Sequence, residues 1–127
     1  MNLNQVTLPA IDMEETAAFY RKLGFLQIVD TPHYARFDCP EGDATFSLSL
    51  TEDRHQVNPT TIYFETESLE EKVNQISSLG IDIAQPPTAE RYLWTEAIIY
   101  DPSGNKIKLY WAGDNRKNPP WRVERRD

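Results

Sequence analysis

Several short runs of this chain alternate apolar and polar side chains, the period of a strand with one packed face and one open face. In Gln5-Val6-Thr7-Leu8 the apolar Val6 and Leu8 must pack, which leaves Gln5 and Thr7 on the open side. In Thr45–Leu50 the open side takes Thr45, Ser47 and Ser49; in Thr61–Glu65 it takes Thr61, Tyr63 and Glu65. In Lys106–Tyr110 it takes Lys106, Lys108 and Tyr110. A further run puts Trp94, Glu96, Ile98 and Tyr100 together, and its apolarity leaves open which side that is. Carboxamide, hydroxyl, phenol, carboxylate and ammonium groups on shared surfaces can hold a polar small molecule. The aromatic rings of Tyr63, Tyr92, Trp94, Tyr100, Tyr110 and Trp111 can stack on flat rings of a ligand. The same set admits catalysis, with Glu65 or Glu96 as a base and Lys108 stabilising a developing oxyanion.

Other chemistry is thin. The histidines are His33, beside Pro32, and His55, in the acidic loop Thr51-Glu52-Asp53-Arg54-His55; neither falls on these strands. There is no His-Glu-x-x-His stretch and no glycine-rich phosphate loop. The one cysteine, Cys39, excludes an internal disulfide and a cysteine-rich zinc site. It sits before Pro40 at a turn, with no helix N-terminus to activate its thiol.

The elements that must position these groups are written twice. Met13-Glu14-Glu15 and Leu23-Gly24-Phe25 recur 56 positions later as Leu69-Glu70-Glu71 and Leu79-Gly80-Ile81. Pro40-Glu41-Gly42-Asp43 recurs 62 positions later as Pro102-Ser103-Gly104-Asn105. Matches in the same order argue for a duplicated module. Each copy starts with a short strand. A helix follows, capped by Asp12 or Ser68, striped by Met13, Ala17, Tyr20 and Leu23 or by Leu69, Val73, Ile76 and Leu79, and stopped by Gly24 or Gly80. Strand-like runs come next: Phe25–Val29, Tyr34–Asp38 and Ala44–Leu50, then Ile81–Ala84, Trp94–Tyr100 and Lys106–Trp111. The Pro-x-Gly-x elements are hairpin turns. Each copy therefore reads βαβββ, with Asn58-Pro59 as the link.

Two βαβββ copies, a helix ending Phe-Tyr-Arg-Lys-Leu-Gly-Phe (Phe19–Phe25) and a final hairpin Asp-Pro-Ser-Gly-Asn-Lys-Ile (Asp101–Ile107) resemble the vicinal oxygen chelate superfamily. It includes glyoxalase I, extradiol dioxygenases, fosfomycin-resistance enzymes and bleomycin-binding proteins. The resemblance spans residues 3–112 and implies an α+β fold. Its modules, 1–57 and 58–112, form a curved mixed sheet that closes a cup, with helices outside and the ligand inside. A tail, 113–127, follows. It also implies a homodimer, whose cup closes within one chain or by exchange of modules.

Metal-dependent members of that superfamily place His or Gln on the first strand of a module and Glu near the end of its last strand. Gln5 suits such a position. Thr61 stands where His is expected, Lys108 where Glu is expected, and the remaining position falls at Ser47 or Ser49. An ammonium where the ion should sit is Coulombically adverse. The expectation is therefore a small-molecule binding protein with no metal and no cofactor. The alternative is a divalent-metal lyase, isomerase or dioxygenase with an atypical ligand set, Gln5 with Glu65 or Glu96. Lys108 should be paired with Glu65, or else face an anionic ligand group, because an inward ammonium is costly to bury alone.

Composition sets the outer bounds. The chain has 127 residues, 39% hydrophobic and 26% charged, with a net charge of −7. That suits one globular domain and argues against a nucleic-acid partner. No apolar run reaches the ~18 residues of a membrane span, and the first ten residues lack the pattern of a signal peptide, so a cytoplasmic location is expected. Residues 114–127 carry +2 on an otherwise acidic chain. In that tail Trp121 follows the stiff pair Pro119-Pro120 and should dock rather than hang free.

Overall fold

The computed structural model describes residues 1–54 and 58–125. His55, the start of the inter-module link and the last two residues of the tail lie outside the described residues. The elements run β1 (Gln5–Ala10), α1 (Met13–Lys22), β2 (Leu26–Asp30), β3 (Tyr34–Asp38) and β4 (Thr45–Leu50). They then repeat as β5 (Thr61–Glu65), α2 (Leu69–Ser78), β6 (Gln85–Ala89), β7 (Thr95–Tyr100) and β8 (Lys106–Trp111), followed by a 3-10 turn, Gly113–Arg116. The strands form two separate four-stranded sheets, ordered β1-β4-β3-β2 and β5-β8-β7-β6. In each sheet the first and last strands of a module pair in parallel. Both copies are thus βαβββ units with a mixed sheet, as their repeated sequence requires.

Two compact units result. The first is Met1–Thr60 with Tyr100–Asn105, and the second is Thr61–Ile99 with Lys106–Asp127.

In the first unit the Asp12 side chain caps α1 by accepting from the Glu15 N–H at 2.9 Å. Gly24 ends the helix with φ +101°, a left-handed angle that costs a residue with a Cβ about 1–2 kcal/mol. α1 buries Thr16, Ala17 and Tyr20 against its sheet. The Tyr20 ring meets Phe46 at 4.6 Å and Phe37 at 5.7 Å between centroids. Leu8, Ala35 and Leu48 complete that core.

A polar knot sits beside it. The Tyr20 hydroxyl donates to Asp101 Oδ2 at 2.7 Å. Asp101 also accepts from the backbone N–H groups of Ser103 and Asn105, both at 2.9 Å, and from Asn105 Nδ2 at 2.8 Å. Asn105 Nδ2 reaches the Pro9 carbonyl as well, and its side-chain oxygen accepts from Asn58. Burial, then the adjacent Asp101 carboxylate, push the Tyr20 phenol far above the usual tyrosine range. Gly104 turns this hairpin at φ +85°.

In the second unit α2 buries Leu69, Val73 and Ile76, and Ile99, Ile107 and Leu109 of the sheet are buried too. Ser68 occupies its cap position, but the side chain makes no capping hydrogen bond. The expected strand at Ile81–Ala84 lies instead at Gln85–Ala89, through Pro86 and Pro87. Prolines cannot donate to a ladder, and β6 tolerates them because it is an edge strand with a register shift between Gln85 and Thr88.

Candidate functional site

The face of the second sheet turned away from α2 groups charged and aromatic side chains. Ala97 and Ile99 of β7 are fully buried on the helix side, so Glu96, Ile98 and Tyr100 share the other, with Lys108. This settles the side of β7 that the sequence leaves open. In the sheet β8 lies between β5 and β7, with Tyr63 of β5 directly opposite Lys108. The Lys108 Nζ sits 2.9 Å from Glu96 Oε2 and 5.5 Å from the centre of the Tyr63 ring. Glu96 is 2% exposed, and its other oxygen accepts from the Tyr92 hydroxyl at 2.8 Å. The hydrogen bond to Glu96 holds the Lys108 ammonium above the usual lysine range. Burial, then the bond to Glu96, push the Tyr92 phenol up to about 12.

The ion pair is therefore Lys108–Glu96, not the Lys108–Glu65 pair expected from sequence. Glu65 lies opposite Tyr110, one pleat further along β5, and does another task. Its Oε2 accepts from the backbone N–H groups of Ala112 and Gly113 at 3.0 and 3.2 Å, and Arg116 Nε lies 3.6 Å from Oε1. Glu65 thereby anchors the turn that brings Asn115, Arg116, Pro119 and Trp121 over the sheet.

Tail and sheet form an open cavity of about 330 Å³ lined by Tyr63, Tyr92, Trp94, Glu96, Asn115, Arg116, Pro119 and Trp121. The Trp94 ring stacks on buried Tyr110 at 4.7 Å and 16°, and Tyr63 stands edge-on to both. Trp94 Nε1 donates to the Asn115 carbonyl at 3.3 Å. Between Tyr92 and Trp94, Leu93 adopts φ +69°, held by its N–H donating to the Glu90 carbonyl. A left-handed leucine is strained, and strain of this kind collects where a fold positions a site. Trp121 forms part of the wall while more than half exposed. Tyr100 and Trp111 are exposed and take no part in this wall. Thr61 is half-buried opposite Lys106.

The remaining candidates lie in the first unit. Gln5 Nε2 donates to Ser47 Oγ at 2.6 Å, and Gln5 Oε1 accepts from the Thr45 hydroxyl. Thr7 is exposed opposite Ser47, and Ser49 is exposed opposite Tyr34. Tyr34 and Arg36, which sequence reasoning passed over, complete this face. Tyr34 OH is 2.6 Å from Ser47 Oγ and accepts from Arg36 Nε at 3.1 Å. Alternation with buried Ala35 and Phe37 was the signal that could have found them. Among the described residues no group of three or more His, Cys, Asp or Glu side chains is placed to hold a metal ion. His33 is exposed.

Residues 2–109 match the family model of the Glyoxalase/Bleomycin resistance protein/Dioxygenase superfamily. Among solved structures, the chain is similar to a bleomycin-binding protein complexed with bleomycin, at 23% identity and TM-score 0.73, over 87% of this chain and 98% of that one. It is similar to a lactoylglutathione lyase from Agrobacterium tumefaciens, at 16% identity and TM-score 0.73, over 87% and 92%. A glyoxalase/bleomycin resistance protein/dioxygenase from Nocardioides shares 16% identity at TM-score 0.75, over 98% and 90%. At these identities the likeness is one of fold. No curated protein matches the chain.

Proposed function

We propose that the chain, which belongs to the Glyoxalase/Bleomycin resistance protein/Dioxygenase superfamily, binds a small organic molecule by its flat aromatic part, without a metal ion, in the cavity over the second sheet. The aromatic lining carries this reading. Tyr63, Tyr92, Trp94 and Trp121 line an open cavity of about 330 Å³, inside the range of about 300–1,000 Å³ common for ligand sites. Stacked and edge-on rings favour a planar guest. A bleomycin-binding protein of the same fold holds a small organic molecule, which suits the same class here.

The donor set supports a metal-free site. Lys108 stands where metal-dependent relatives are expected to carry a glutamate, and its ammonium would repel a divalent cation. The Gln5 amide is spent on Ser47 and Thr45. These residues do not fit a divalent ion. Glu96 already accepts from Lys108 and Tyr92, and Glu65 from Ala112 and Gly113, so neither carboxylate is poised as a free base. That favours binding over proton abstraction. The reading includes a cytoplasmic homodimer with no nucleic-acid or membrane partner; light scattering tests the dimer.

A thermal-shift screen of planar aromatic compounds is the test. A ligand should raise the melting temperature and quench the fluorescence of Trp94 and Trp121, and Trp121→Ala should weaken its binding at little cost in stability. Plasma mass spectrometry should find far less than one transition-metal ion per chain. Aromatic ligands indifferent to Trp94→Ala and Trp121→Ala would refute the site. A near-stoichiometric metal lost on Gln5→Ala would refute the metal-free reading.

A further inference from the structure

Duplication puts corresponding residues in the middle row of each sheet, and the two rows differ in charge. In the second sheet Tyr63 lies opposite Lys108, and Lys108 is answered by Glu96 on the next strand. In the first sheet the same row reads Thr7, Ser47, Arg36, with Thr7 opposite Ser47 and Ser47 opposite Arg36. One sheet thus holds a lysine matched by a carboxylate, and the other holds an arginine matched by a hydroxyl. Arg36 is the only Lys or Arg on β1 to β4. Among the described residues no carboxylate lies within ion-pair distance of it.

This row offers hydrogen-bond donors outward. Ser47 is fully buried, and its oxygen accepts from Gln5 Nε2. Its own proton needs an acceptor, and the Tyr34 oxygen at 2.6 Å provides one. Arg36 Nε donates to that same oxygen. With two donors on its oxygen, the Tyr34 phenol has its own proton free for a partner off the sheet. Among the described residues neither terminal NH2 group of Arg36 has a hydrogen-bond partner, so both are open to the same ligand group. A guanidinium fork beside an O–H matches an oxyanion, and charge-assisted bonds of this kind are the strong ones. Val29, opposite Arg36 on β2, adds an apolar flank.

We infer that Arg36 and Tyr34 form an oxyanion-binding site on the open face of the first sheet, fixed from below by Ser47 and Gln5 and suited to a carboxylate or phosphate group of a ligand. The hydrogen bond from Ser47 and then Arg36 hold the Tyr34 phenol below the usual tyrosine range, as an environment built for negative charge should. The site uses none of the residues of the aromatic cavity, so either reading can fail without the other.

Nuclear magnetic resonance titration of the full chain with acetate, and separately with inorganic phosphate, tests it. The backbone amides of Tyr34, Arg36 and Ser47 should shift and saturate at tens of millimolar anion, the range of one charge-assisted contact. Arg36→Gln should weaken the response about tenfold or more and Tyr34→Phe about threefold, while Arg21→Gln, on the exposed face of α1, leaves it unchanged. Saturation by acetate alone assigns a carboxylate, saturation by phosphate alone a phosphoryl group, and either sustains the site. No shift with either anion, an Arg36→Gln variant that titrates like the wild type, or an equal loss in Arg21→Gln overturns it.

Discussion

Lys108→Met removes the ammonium and leaves the Glu96 carboxylate, 2% exposed, with the Tyr92 hydroxyl as its remaining partner. Breaking a buried ion pair from one side costs about 3–5 kcal/mol. Two features pull the figure to the low end. Lys108 is 17% exposed, so water reaches part of the site, and Tyr92 still supplies a donor at 2.8 Å. The expected loss is about 3 kcal/mol, or a fall of about 12 °C in melting temperature for a chain of this size. Urea and thermal denaturation followed by circular dichroism measure it. The double variant Lys108→Met/Glu96→Gln should regain most of the loss, because replacing both partners of a buried pair is far cheaper than stranding one. Glu65→Gln added to Lys108→Met should rescue nothing. A single variant within about 0.5 kcal/mol of wild type, the range of an ordinary surface change, would refute the buried pair. Rescue by Glu65→Gln instead of Glu96→Gln would refute the partner.

Tyr20→Phe should cost about 2 kcal/mol in urea denaturation, since it takes one donor from buried Asp101 without leaving a cavity. Leu93→Gly should stabilise the chain by about 1 kcal/mol by relieving a left-handed φ at a half-exposed side chain, and should loosen ligand binding by freeing Tyr92 and Trp94. In an ultraviolet pH titration one tyrosine should ionise below the ordinary value near 10, and Ser47→Ala should move it up. Tyr92 and Tyr20 ionise later in the folded chain than in the unfolded chain. Their contribution to stability is therefore complete below about pH 10 and is lost as pH rises through about 12, so unfolding should begin there.

The duplication, the Asp12 cap, the Gly24 stop and the packed faces of β1, β4 and β8 were legible because each rests on local pattern: period two, period 3.6, or a residue at a cap. What local pattern cannot carry is lateral order. Lys108 could be placed on a face from its own strand, but its partner depends on which strands flank β8, and that is a tertiary fact. Glu65 was the expected partner, yet β7 on the other side of β8 carries the carboxylate that reaches Lys108, and Glu65 is held by Ala112 and Gly113. β6 lies past the apolar run Ile81–Ala84 because an edge position forgives Pro86 and Pro87, which strand patterning disfavours. Tyr34 and Arg36 were visible in the alternation of β3. Their meaning appears only beside Ser47, whose buried hydroxyl must give its proton to something.

The Asp101 knot bears on the order in which the chain can fold as it leaves the ribosome. The first unit closes over Tyr20 with residues Tyr100–Asn105, written at the far end of the second module. A nascent chain that has emerged only as far as Thr60 holds β1 to β4 and α1, yet its Tyr20 hydroxyl has no carboxylate and its Pro9 carbonyl no Asn105 amide. The amino-terminal half must therefore wait, incompletely satisfied, while another 45 residues are made. A gene fragment ending at the link would inherit the same deficit permanently, so the two halves of this duplicated sequence no longer amount to two independent proteins.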